Sequence, residues 1–316
     1  MSALHDALRQ YIAVRRALGT QYKEPARTLG YFVDFLEREG ADFITTELAV
    51  RWATEPALVQ SATWDRRLTM VRGFAEWLSV TDARTMIPPL RILGARRQRK
   101  RPHIFTQQEV KQLMAEATQL PSPRGLRALT YETLIGLLAT TGLRPGEALS
   151  LDKPDVDLYG GILTIRETKF GKSRFVPVDE TTRAALACYA QRRDTLCLRC
   201  QTAAFLISEN GLRLQGCSVR RTFAKISRAI GLRPAIGGRR LGRGPRLQDF
   251  RHSFATLRLL EWYRAGLDVQ RELPKLTTYL GHSDVAHTYW YIEALPELLL
   301  LATDRATMHS QSGGER

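Results

Sequence analysis

The chain has 316 residues, enough for two domains of ordinary size with a core each. Lys and Arg number 47 against 32 Asp and Glu, a net charge of +15 and a pI near 10.1. That excess favours a polyanionic partner through long-range attraction and counterion release. The opening MSALHDALRQ lacks the charged-then-apolar pattern of a secretory signal, and runs such as LIGLLA and LLLLA are far too short to span a bilayer, so a cytoplasmic location is expected.

The first 98 residues read as helix, without strand alternation. LHDALRQYIAVRRALG places Leu4, Leu8, Ile12 and Leu18 near a 3.6-residue period and stops at Gly19. ARTLGYFVDFLEREG repeats the pattern with Leu29, Phe32, Val33 and Leu36. TTELAVRWATEP starts on a Thr cap and ends before Pro56. SATWDRRLTMVRGFAEWLSV supplies Trp64, Leu68, Val71, Phe74, Ala75 and Leu78. Four short helices with basic outer faces predict a compact bundle. A linker at about 84–102 follows, where paired prolines, a glycine and a basic run predict an extended crossing.

The second domain is expected over 103–316 and opens on FTQQEVKQLMAEA, a capping box of Thr106 and Glu109. The helix RALTYETLIGLLATTG comes next. The period then changes: Ile162, Thr164 and Arg166 alternate with Leu163, Ile165 and Glu167, and after a turn come Phe175, Val176 and Val178. This predicts a small antiparallel sheet between helices. ETTRAALACYAQRRD returns to helix, AFLISENGLRL reads as a short strand and turn, and SVRRTFAKISRAIGL is a basic helix with Val219, Phe223 and Ile226 on one face. The remainder is helical up to a polar tail, HSQSGGER. The fold class is mainly α with a small antiparallel β-sheet in the second domain.

Charge is clustered. Seven basic residues and no acid lie between Ala83 and Gln108, and ten with no acid between Asn210 and Gln248. The pair Cys197 and Cys200, with Cys217 nearby, raises a structural zinc, but no second close pair and no nearby His accompany it. Reduced thiols are expected, with no metal and no cofactor.

The chemistry concentrates in two stretches. LLATTGLRPGEALSL carries Arg144 where an apolar helix breaks at Gly142 and restarts through Pro145. GPRLQDFRHSFA carries Arg251 inside an apolar helical pattern, LGHS follows with His282, and TYWY ends at Tyr291, nine residues after that histidine. Arginine forks match two phosphate oxygens. An imidazole adds a hydrogen bond, and a phenol oxygen can form a covalent phosphoester. Together they are the groups needed to attack a phosphodiester without a metal.

With these residues in view, the chain resembles the tyrosine recombinases, the phage-integrase family of site-specific recombinases; TGLRPGE and DFRHSFA match its two arginine boxes residue for residue. The resemblance implies an N-terminal core-binding domain clamping one side of the duplex, and an α+β catalytic domain. It makes Arg144 and Arg251 the phosphate clamp, His282 a donor to a nonbridging oxygen and Tyr291 the nucleophile, with Tyr289 rejected by spacing. Lys169, in the ETKFGKSRF turn, would protonate the leaving 5′ oxygen; Lys172 is the alternative, or a plain phosphate contact. Asp249 and Glu147 are expected to orient the arginines, and His252 to pack behind Arg251.

One position departs from the family. Three residues before Arg251 it usually has His or Lys, and here stands Gln248, which can hydrogen-bond but cannot carry a proton at neutral pH. Gln248 is still counted among the catalytic candidates.

The implied function is cutting and rejoining of duplex DNA through a 3′-phosphotyrosine, on behalf of a mobile element, without metal or ATP. Expected partners are a duplex recombination site, a homo-tetramer on synapsed DNA with the C-terminal tail in trans, and partner recombinases of the same element. DNA contacts are expected from Arg96, Arg97, Arg99, Lys100, Arg101, Lys172, Arg174, Arg220, Arg221, Arg239, Arg240 and Arg243. A DNA-binding helper subunit with weakened catalysis is a competing reading, supported by Gln248 alone. A type IB topoisomerase-like enzyme would share the chemistry, but the short N-terminal bundle and LGHS argue against it.

Neutralising any two of Arg96, Arg97, Arg99, Lys100 and Arg101 is expected to weaken binding to specific and random duplexes alike. The salt dependence should flatten by roughly two units of slope. Titrations at several salt concentrations check this, and an unchanged slope would place the run away from phosphate.

Overall fold

A computed structural model describes residues 2–56, 59, 61–94, 101–166, 173–198, 200, 202–234 and 244–281. The chain divides into two compact units, Met1–Lys100 and Arg101–Arg316.

In the first unit the apolar stripes become four helices: α1 (Ala3–Ala17), α2 (Lys23–Arg38), α3 (Thr46–Thr54) and α4 (Ser61–Leu78). Side-chain caps set two of their starts, Ser2 accepting from the His5 N–H and Thr45 from the Leu48 N–H. Leu4, Leu8, Leu29, Phe32, Val33, Leu36, Trp52, Leu68, Val71 and Phe74 close on one another as the core. Leu18, expected on the α1 stripe, is instead 70% exposed. The helix stops at Ala17 and Gly19 turns the chain with a φ of +82°, so the stripe ends a turn early. Tyr11 is the last residue that α1 buries, its ring 5.4 Å from that of Phe74.

The start of the linker is not free to extend. Thr85 is buried, the Met86 N–H donates to the Ile44 carbonyl at 2.7 Å, and Arg72 donates to the Pro88 carbonyl. The described start of the expected linker is therefore packed on the helices of the first unit. Arg96, Arg97, Arg99 and Lys100 lie outside the described residues, and Arg101 is exposed.

The second unit wraps around α6 (Leu126–Thr141), which buries Leu126, Leu129, Tyr131, Leu134, Ile135, Leu137 and Leu138 around most of its circumference. It is packed by α5 (Gln107–Thr118), whose Thr106–Glu109 capping box forms as expected, and by α8 (Glu180–Leu196) and α10 (Asp249–Arg264). Between α6 and α8 come α7 (Pro145–Ser150), a 3₁₀ turn and a three-stranded antiparallel sheet. Its strands are β1 (Val156–Asp157), β2 (Ile162–Ile165) and β3 (Arg174–Pro177), with Val156 opposite Leu163 and Leu163 opposite Val176. Helix α9 (Gly216–Ala229) buries Val219, Phe223 and Ile226, and α11 (Val269–Leu280) carries Pro274 within it. Phe105 stacks on Phe250 at 4.3 Å, and its N–H donates to Ser253 Oγ at 2.8 Å, tying the entry of this unit to α10.

The strand expected in AFLISENGLRL reduces to single bridges, Asp152 with Ala204 and Ile207 with Arg213. Cys197 and Cys200 pack there against Leu126, Ala204 and Ile207, and burial pushes the Cys197 thiol up. A Cβ on Gly211 would stand 2.8 Å from Cys197 Sγ, so the thiols fill space that a side chain there would need. Cys188 and Cys217 are exposed. Among the described residues no helix is long and apolar enough to cross a membrane.

Gly142 closes α6 with φ +61°, and a Cβ on it would lie 2.6 Å from the Phe254 ring of α10. Gly142→Ala is therefore expected to destabilise the second unit by about 2 kcal/mol or more, from left-handed strain plus overpacking. Urea unfolding checks it, and an unmoved midpoint would mean that the ring yields freely.

Candidate active site

Arg144 stands in the break between α6 and α7. Gly142 turns the chain, and Pro145 at the first position of α7 keeps the residue before it extended, at φ −65° and ψ 141°. Glu147 reaches back one turn: its Oε2 accepts the Arg144 N–H at 2.9 Å and its Oε1 accepts Arg144 Nη1 at 2.7 Å. Burial alone would raise the Glu147 carboxyl. Hydrogen bonds from Arg174 and from the Arg144 N–H and guanidinium outweigh it and hold the pKa down at about 2.

Arg251 lies one turn into α10 and is 1% exposed. Its Nη1 donates to the Gly142 carbonyl at 3.2 Å and its Nη2 to the Leu280 carbonyl at 2.5 Å. A buried guanidinium is costly unless its donors are taken up. Here it faces the C-terminal ends of α6 and α11, where unsatisfied carbonyls gather the negative end of the helix dipole.

The same helix end receives two further arginines. Arg144 Nη2 donates to the Gly281 carbonyl at 3.4 Å, and Arg174 Nε donates to the Tyr279 carbonyl at 2.9 Å. Three successive carbonyls, of Tyr279, Leu280 and Gly281, thus each meet a different guanidinium. The Gly281 N–H, at φ +67°, turns back onto Thr277 and Thr278 and accounts for the two carbonyls before them. His282, the next residue, lies outside the described residues, as do Tyr291, Lys169 and Lys172.

Arg174 stands where the sequence reading did not put it. Expected among the DNA contacts, its side chain is 11% exposed and forks onto Glu147, Nη1 to Oε1 at 3.1 Å and Nη2 to Oε2 at 2.8 Å. The signal was in the strand alternation: Arg174 shares the face of β3 with the fully buried Val176. Arg220 and Arg221 are exposed on α9, whereas Arg239, Arg240 and Arg243 lie outside the described residues.

Gln248 precedes α10 with an αR backbone; its carbonyl accepts the Arg251 N–H at 3.2 Å, and its side chain does not cap the helix. Asp249 is buried and accepts from the Arg246 N–H at 2.8 Å and from Arg246 Nη2 at 3.0 Å, which anchors the first turn below Arg251. Half-buried His252 is pushed down to about 4, first by burial and then by Arg246 and Arg251, against an opposing pull from Asp249.

Residues 103–297 match the phage integrase family. The chain belongs to that family. Relatives extend the likeness across the chain: y4rB of Sinorhizobium fredii, named as an integrase/recombinase, is 43% identical over 96% of this chain and 97% of its own. The tyrosine recombinase XerC of a Mycobacterium species is 29% identical over 97% of this chain and 99% of its own. Among solved structures, the Tn1549 transposon integrase in complex with transposon right end DNA superposes with a TM-score of 0.63 at 15% identity, covering 97% of this chain and 100% of that one. XerH bound to a palindromic difH substrate gives 0.60 at 19% identity, covering 89% and 78%. These establish that the phage integrase fold is present, a mainly helical catalytic unit with a small antiparallel sheet.

His252 generates a pH prediction. Its pKa is about 4 when folded against about 6.5 for the free group, so folding disfavours the proton. Its contribution is fully present above pH ~6.5, is lost progressively as pH falls, and the loss is complete below about 4, on the order of 2 kcal/mol. Unfolding across this range should show less acid sensitivity for His252→Gln than for wild type; parallel curves would contradict the assignment.

Proposed function

We propose that the chain is a site-specific DNA recombinase that cuts and rejoins duplex DNA through a 3′-phosphotyrosine, acting in the cytoplasm for a mobile element. The observation that carries this is the convergence of Arg144 and Arg251 on adjacent carbonyls at the end of α11, directly before His282. Fixed cations at a developing phosphorane charge are the main source of catalysis when no cofactor participates. In this reading both arginines hold nonbridging oxygens with His282, and the Tyr291 phenol oxygen attacks phosphorus as its proton passes to water. The bond from phosphorus to the 5′ oxygen breaks, and Lys169 supplies that oxygen's proton. The phosphotyrosine conserves the bond energy, so rejoining needs neither ATP nor metal.

Family membership and a transposon integrase among the similar folds support the mobile-element context. Synapsis is assigned to a tetramer in which the tail from Leu295 docks on a neighbouring protomer. Gln248 favours a second reading, a helper subunit that binds DNA and depends on a partner recombinase for cleavage.

Nicked suicide duplexes separate the two. Wild type is expected to form a covalent adduct that Tyr291→Phe abolishes with binding nearly intact, while Tyr289→Phe retains it. An adduct seen only when Gln248→His is introduced would establish the helper reading. An adduct persisting in Tyr291→Phe would overturn the nucleophile assignment.

A further inference from the structure

Arg174 is the arginine that the proposed chemistry leaves without a task. It is enclosed, and its donors are directed inward: two to Glu147 and one to the Tyr279 carbonyl. Its position is sterically reserved as well, since a Cβ on Gly281 would come within 2.9 Å of Arg174 Nη1. Three pieces of chain meet at this one side chain: the first turn of α7 through Glu147, the edge strand β3, and the end of α11.

The charges show what such a tie accomplishes. Glu147 is a single carboxylate serving two guanidiniums, with Arg144 on Oε1 alone and Arg174 across both oxygens. A phosphate arriving at Arg144 competes with Glu147 for that cation. If Glu147 depended on Arg144 alone, weakening their bond would leave a buried carboxylate poorly compensated, which is costly. The bidentate fork of Arg174 keeps it paired throughout. The backbone bond to Tyr279 meanwhile fixes the turn that leads into His282.

We propose that Arg174 is a positioning residue of the active site rather than a DNA contact: it holds Glu147 and the last turn of α11 in place so that Arg144 can turn to the scissile phosphate. This rests on the phosphate-clamp reading of Arg144 and Arg251.

The decisive comparison is Arg174→Lys, which keeps the cation and loses the fork, with Arg174→Gln as a second variant should the first not fold cooperatively. Single-turnover cleavage of a nicked suicide duplex is expected to slow by roughly tenfold to a hundredfold, as for a displaced catalytic group. DNA affinity and its salt slope should stay as in wild type. The combined change Arg174→Lys with Glu147→Gln should be no slower than Glu147→Gln alone, because the two side chains act as a unit. A salt slope reduced by about one unit in Arg174→Gln would instead make Arg174 a phosphate contact and overturn the proposal. So would cleavage at the wild-type rate, or rate losses that multiply in the double variant. Amide hydrogen exchange over residues 276–281 without DNA supplies a readout independent of catalysis. Faster exchange in Arg174→Lys is expected, and unchanged exchange would sink the positioning role. Should wild type form no adduct, the clamp reading falls, and the exchange measurement alone decides whether Arg174 sets this turn.

Discussion

The end of one helix is the constraint on which the catalytic unit depends. Helix α11 finishes with carbonyls that its own ladder cannot satisfy, and they are met by Arg174, Arg251 and Arg144 in consecutive order. The interaction serves both sides. The helix end loses its orphan acceptors, and three cations gain partners, two of them enclosed and Arg144 still partly open to solvent. Each arginine belongs to a different element, so the last turn of α11 works as the keystone between β3, α7 and α10. Glycines make the approach feasible: Gly142 and Gly281 both adopt positive φ at points where a side chain would collide with a neighbour.

Electrostatics explains why so much like charge is tolerated together. Glu147 bonds to two of the three arginines, and it stays ionised well below the ordinary carboxylate range. Peptide carbonyls, which carry no proton, add to this compensation. The neighbouring His252, held neutral by burial, adds no further positive charge.

Much of this was legible from the residues alone. The helices of the first unit followed their apolar stripes, and the capping box at Thr106 and the hairpin of β2 and β3 formed where pattern placed them. Arg144 and Arg251 were identified by motif, and the structure brings them together. Arg174 was read by charge, as a basic residue near a predicted turn; its pairing with Glu147 follows instead from the strand face, two residues from the buried Val176. The stop at Gly19 was foreseen, but Leu18, counted on the stripe, caps the helix just before it and stays exposed. The linker was read as extended from its prolines, yet Met86 and Pro88 bond back to the helical bundle, a tertiary contact that composition does not encode.

The placement of Arg251 also bears on the order in which the protein can be completed as it is made. Its guanidinium is buried against carbonyls of Gly142 and Leu280, the latter nearly thirty residues further along the chain. A nascent chain that has emerged only through α10 holds this cation without the Leu280 carbonyl in reach. This contact of the second unit waits on the emergence of α11. Arg144 and Arg174 wait for the same helix, so an unfinished polypeptide carries the three arginines without the carbonyls that gather them.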